Sequence, residues 1–68
     1  MSNSNPVKEL IFSMMEDRRS RTLTDVCMRL NRTSRSLRTA TGSALKAMSE
    51  QGILLEEKVH GVKVWQLK

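Results

Sequence analysis

The 68-residue sequence predicts an α+β fold: three helices followed by a two-stranded β-hairpin, in a single domain. Three observations point there. Apolar residues recur at three- and four-residue spacing in stretches up to Gly52. After Gly52 the pattern switches to two β-prone runs, Ile53 to Val59 and Val62 to Leu67. His60-Gly61 sits between those runs and suits a two-residue hairpin turn. So short a domain buries only about 60% of the surface its chain exposes. Its single Cys cannot close an internal disulfide. The core must come from compact helix packing or be completed by a second subunit.

Residues 1–5 read as a disordered polar tail before a domain at residues 6–68. Asn5 can cap a helix whose first position is Pro6, where the missing N–H would be unpaired in any case. Val7, Leu10, Ile11, Met14 and Met15 then recur at helical spacing, which predicts helix one from Pro6 to Asp17 or Arg18. Arg18-Arg19-Ser20-Arg21 breaks the pattern as a charged loop, either a phosphate clamp or a solvated connector. Thr24 reads as the cap of helix two, with Asp25 at the positive end of the dipole and Leu23 packing back. Val26, Cys27 and Leu30 follow on one side, to at least Asn31. Cys27 is expected to be a packed thiol rather than a nucleophile.

Asn31 to Ser34 can be read in two ways. Either helix two ends there and helix three starts at Ser34 or Arg35, or helix two runs on and the turn falls at Ser36 to Arg38. In helix three, Leu37, Thr41, Ala44 and Met48 form one stripe, flanked by Ala40, Leu45 and Gln51. Arg35, Arg38, Thr39, Gly42, Ser43 and Lys46 occupy the other side, with no acid before Glu50. Gly52 supplies the left-handed residue that ends the helix. Gly42 marks either a close backbone approach or the turn itself. In the hairpin, Lys58 opposes Lys63 and Val59 opposes Val62. Like charges facing each other near the tip are unfavourable unless an anion sits there. His60 is a turn residue within reach of a phosphate, and Trp65 closes the core. Glu56 and Glu57 are adjacent, so on a strand they point to opposite faces.

The formal net charge is +5, and the seven Arg all lie between Arg18 and Arg38, a stretch with one acid, Asp25. Such a clustered Arg field is an electrostatic footprint for a polyanion. A helix with one dry side and one side of Arg, Lys, Thr, Ser and Gly suits a DNA major groove, which is about 12 Å wide. Catalysis is not expected. There is one His, one Cys and no Gly-rich phosphate loop, and no Cys/His cluster suggests zinc. No cofactor, metal or small-molecule substrate is evident. One Trp and one Phe are too few for a single-strand stacking platform. No apolar run of about 18 residues is present to span a membrane, and no signal-peptide pattern opens the chain. A reduced cytoplasmic setting is the expectation.

The order of elements, and three stretches in particular, resembles the winged helix-turn-helix DNA-binding domain. Leu23-Thr24-Asp25-Val26-Cys27-Met28-Arg29-Leu30 looks like its second helix. The run from Thr41 to Leu54 looks like the end of its recognition helix entering the first wing strand. Gly61 to Lys68 looks like the second wing strand. Its Trp65-Gln66-Leu67-Lys68 ending is similar to that of small bacterial pilus-operon regulators. The resemblance covers residues 7 to 68. The interval from Leu30 to Gly52 is roughly one helical turn longer than in small members of the family. The resemblance implies a sequence-specific double-stranded DNA-binding transcriptional regulator from a bacterium, phage or plasmid. Its recognition helix, residues 35–51, would enter the major groove. Arg35, Arg38, Thr39, Gly42, Ser43 and Lys46 would meet bases or nearby phosphates. Arg18, Arg19, Arg21, Lys58, His60 and Lys63 would hold the backbone, in all roughly five to seven phosphates. A homodimer or a partner regulator is the accompanying expectation. The alternatives are an adaptor for an acidic protein and a DNA-architectural or excision factor. Recognition of left-handed duplex is disfavoured, because helix three has no Tyr.

Overall fold

The computed structural model describes residues 6–68; the tail and the Asn5 cap lie outside the described residues. The order is α1 (Pro6–Met14), a 3₁₀ turn (Met15–Asp17), β1 (Arg21–Thr22), α2 (Leu23–Arg29), α3 (Arg35–Glu50), β2 (Leu54–Val59) and β3 (Val62–Leu67). This is an α+β arrangement with three α-helices and a three-stranded antiparallel sheet of order β1-β3-β2. The two-stranded hairpin expected from the sequence therefore gains a strand. Arg21 pairs with Trp65 and Thr22 with Val64. No helix among the described residues is long and apolar enough to cross a membrane.

Local chemistry sets the helix ends. The α2 cap is Thr22, not Thr24: the Asp25 backbone N–H donates to Thr22 Oγ1 at 3.1 Å. Thr22 and Asp25 stand three apart, the spacing at which a capping hydroxyl meets the third helical N–H. At the other end Asn31 takes φ 57°, its N–H donates to the Met28 carbonyl and the Arg32 N–H to the Cys27 carbonyl. This pair of bonds is a Schellman closure. It ends α2 before Asn31 and settles the joint in favour of α3 starting at Arg35, capped by Ser34. The same closure recurs at Gly52 (φ 81°), where the Ile53 N–H reaches the Met48 carbonyl.

Gly42 lies inside α3, so it is not the turn. A Cβ built there would meet the Leu23 methyl groups at 3.7 and 3.8 Å, an ordinary contact. The sheet follows the expected register: Lys58 opposes Lys63 and Val59 opposes Val62. His60 (φ 52°) and Gly61 (φ 79°) both adopt positive φ, as a type I′ turn requires.

The core draws on every layer: Ile11, Met15, Val26, Ala44, Leu45, Met48, Leu54 and Trp65 are buried together. The stripe of α3 is buried as expected at Thr41, Ala44 and Met48, while Leu37 sits at its rim, 36% exposed. At that end Arg32 Nε donates to the buried Thr41 hydroxyl at 3.0 Å, and Thr41 donates to the Leu37 carbonyl at 2.7 Å. Cys27 is buried and free.

The clash-free contact at Gly42 makes a prediction. Gly42→Ala is expected to stabilise the fold by about 1 kcal/mol, since Gly is that much poorer than Ala in a helix interior. In a domain this size that raises the thermal midpoint by about 4–8 °C. Calorimetry or circular dichroism melting checks it.

Candidate nucleic-acid interface

α3 positions most of the candidate side chains. Its apolar side is held in the core, so Arg35, Thr39, Ser43 and Lys46 are exposed along the opposite side, with Arg38 and Gly42 half-buried between them and α2. A shallow cleft is lined by Leu23, Thr33, Arg35, Arg38 and Thr39. It lies where the first turns of α2 and α3 meet. Arg38 Nη2 donates to Thr24 Oγ1 at 3.2 Å across this meeting point. Thr24 is therefore an exposed polar group beside the cleft, bonded to one of its lining residues, rather than a helix cap. The four N–H groups of the first turn of α3 add partial positive charge there.

Electrostatic pairing sorts the cations. Arg21 is 6% exposed and lies between Asp17 and Asp25, its Nη1 3.3 Å from Asp25 Oδ2 and its Nη2 on Asp17. It is neither a phosphate clamp nor a solvated connector. The reason is its place on β1 opposite Trp65, which turns it under the helices and obliges two carboxylates to neutralise it. Arg29 approaches Asp25 at 3.9 Å. In the β2–β3 hairpin, Glu56 accepts from Trp65 Nε1 at 3.0 Å and lies 3.8 Å from Lys63 Nζ. Lys63 thus has an internal counter-ion. Among the described residues no carboxylate forms an ion pair with Arg35, Arg38, Lys46 or Lys58.

The candidate residues do not all converge. Arg35, Arg38 and Thr39 meet at the cleft, and Gly42, Ser43 and Lys46 continue along the same helix. Lys58 and Lys63 stand opposite one another on the sheet face that carries Trp65, and His60 caps the tip. Arg18 lies at the other end of β3, where its Nη1 donates to the Lys68 carbonyl at 3.4 Å. The six residues of β3 separate that end from the tip, and their five steps of about 3.4 Å alone span about 17 Å. Arg19, beside it, directs its backbone N–H to Asp17 Oδ1 at 3.0 Å. The loop arginines and the hairpin tip therefore form separate patches.

Two residues of the interface were not legible as such. Thr24 was hidden by its resemblance to a cap, although the Thr22/Asp25 spacing offered the better one. Thr33 sits in the inter-helix link, where periodicity says nothing. Among the described residues no three His, Cys, Asp or Glu side chains gather as a metal site would need. No protein-family model, curated protein or solved structure matches the chain.

The contacts of Asp17 tie part of the fold's stability to pH. The Asp17 carboxyl is held below its ordinary range, first by the Arg19 backbone N–H and then by the Arg21 guanidinium, against a desolvation effect that raises it. Folding thus favours the carboxylate. The stability it contributes is present above the usual carboxylate range and is lost as pH falls through the lowered value. Urea melts taken downward from pH 6 are expected to show this loss, and Asp17→Asn is expected to flatten that part of the profile.

Proposed function

We propose that this chain is a winged helix-turn-helix domain acting as a sequence-specific double-stranded DNA-binding transcriptional regulator, of bacterial, phage or plasmid origin. It performs no catalysis and needs no cofactor. α3 is the recognition helix and β2–β3 the wing. The observation that carries the reading is the sorting of charge on α3. Its Leu45–Met48 side is fixed in the core, and its exposed Arg35, Thr39, Ser43 and Lys46 lack carboxylate partners, although acids nearby neutralise Arg21, Arg29 and Lys63. Arg forks onto guanine, and Ser and Thr bond either base type, so this side has the donors that base edges accept. Lys58 would reach the flanking backbone.

With Arg21 and Lys63 internally paired and Arg18 and Arg19 in a patch away from α3, the expected number of neutralised phosphates falls from the five to seven suggested by the sequence to about four, supplied by Arg35, Arg38, Lys46 and Lys58. At about −0.9 per phosphate the slope of log K against log salt is about −3.6, or roughly a 150-fold loss of affinity between about 50 and 200 mM salt. Fluorescence anisotropy on a duplex selected from a random pool measures it. Arg35→Ala and Lys46→Ala are each expected to lower the slope magnitude by about 0.9 without altering the melting curve. Binding insensitive to salt, or unchanged in both variants, overturns the reading.

A further inference from the structure

Among the described residues the strand order β1-β3-β2 leaves one side of β2 without a neighbouring strand. A free edge presents a row of N–H and C=O groups ready to pair. Its side chains alternate. Leu54, Glu56 and Lys58 lie on the face that packs on the helices, opposite Leu67, Trp65 and Lys63. Leu55, Glu57 and Val59 lie on the outer face, where Leu55 is 37% and Val59 47% exposed. Edge strands commonly carry charge to refuse partners. The charges on this edge have another property: they match themselves.

We propose that a second copy of this chain pairs antiparallel along β2, about a two-fold axis passing through Glu57. An axis perpendicular to the sheet keeps both sets of helices on one side, so only residues of like face can stand opposite each other. That restricts the centre to one of the six β2 residues, and the two end residues give almost no strand overlap, which leaves four. Centring on Glu57 sets Glu56 against the partner's Lys58 twice and Leu55 against the partner's Val59 twice. One Glu57 pair meets at the axis. Centring on Glu56 opposes two Glu and sets Leu55 against the partner's Glu57 twice. Centring on Lys58 opposes two Lys and sets Val59 against the partner's Glu57 twice. Centring on Leu55 leaves Val59 without a partner. Only one register therefore joins both opposite charges and both exposed apolar side chains.

The backbone is in phase with this register. A two-residue turn closes on the hydrogen-bonded pair Val59 and Val62. Alternation along an antiparallel ladder then turns the N–H and C=O of Leu54, Glu56 and Lys58 to the free edge. Those groups of Glu56 and the partner's Lys58 meet as hydrogen-bonded pairs, and Glu57 faces the partner's Glu57 as a non-bonded pair. The product is a continuous six-stranded sheet with both α3 helices on the same side. The inference does not rest on DNA binding, because association is measured without DNA; a Lys58 that faces the partner's Glu56 is no longer free for phosphate, so in the dimer the salt slope per chain falls to about −2.7.

Cysteine cross-linking reads the register directly, since Cys27 is buried and does not compete. A non-hydrogen-bonded pair sets its Cα atoms about 4.5 Å apart, within the disulfide range of about 4.4–6.8 Å. Glu57→Cys is expected to give a covalent dimer on mild oxidation. Leu55→Cys alone and Val59→Cys alone are not, because four residues of offset separate like positions by about 14 Å. A mixture of the Leu55→Cys and Val59→Cys chains is expected to give the mixed disulfide. In sedimentation equilibrium Lys58→Glu is expected to abolish association of the chain. Glu57→Gln, which removes the like-charge pair, is expected to strengthen it by a factor of up to about five. A strictly monomeric chain at millimolar concentration overturns the proposal, as does Leu55→Cys cross-linking as readily as Glu57→Cys.

Discussion

The guanidinium of Arg21 is the point on which the layers of this domain converge. It stands on β1 opposite Trp65, under the helices, 6% exposed. Taking such a charge from water without partners costs several kcal/mol. The fold meets that demand with Asp17 from the turn after α1 and Asp25 from the first turn of α2. Because both carboxylates must reach one cation, the end of the first helix, the short strand and the start of the second helix are tied to one another. Trp65 draws the hairpin into the same place through its pairing with Arg21. A domain of this size has little apolar surface to spare, and a shared polar anchor sets relative positions that its few core side chains would leave loose.

The same network decides where positive charge remains available. Asp17 and Asp25 serve Arg21 and Arg29, and Glu56 serves Trp65 and Lys63. These acids act inside the scaffold and leave the exposed side of α3 uncompensated. The net charge of the chain therefore understates the local field along that helix. The proposed regulator role draws on this division between structural and exposed cations.

Much of this architecture was legible because local rules agree with each other. The hairpin register follows from a two-residue turn and strict alternation, so Lys58 and Lys63 could be placed opposite each other from the sequence. The burial of Thr41, Ala44 and Met48 follows from helical period. What escaped depends on distant partners. β1 is two residues long and exists only because β3 pairs with it; Arg21-Thr22 carries no periodicity of its own. Arg21 looks like Arg18 and Arg19 in the sequence, and only the three-dimensional course of the chain separates a buried cation from its exposed neighbours. The end of α2 turned on Asn31 adopting a left-handed conformation, which Asn tolerates but does not require.

The hydrogen bond from Arg38 to Thr24 has a consequence of its own. Two guanidiniums border the cleft, and they differ in how much freedom they retain. Arg38 is half-buried and already anchored to the neighbouring helix, so most of its rotamers are gone before any anion arrives. Arg35 is exposed and unanchored. A long side chain forfeits up to about 2 kcal/mol of conformational entropy when it is immobilised. Under the proposed function, an anion at the cleft would meet one donor held by a neighbouring helix and one adaptable donor that adjusts to its outline.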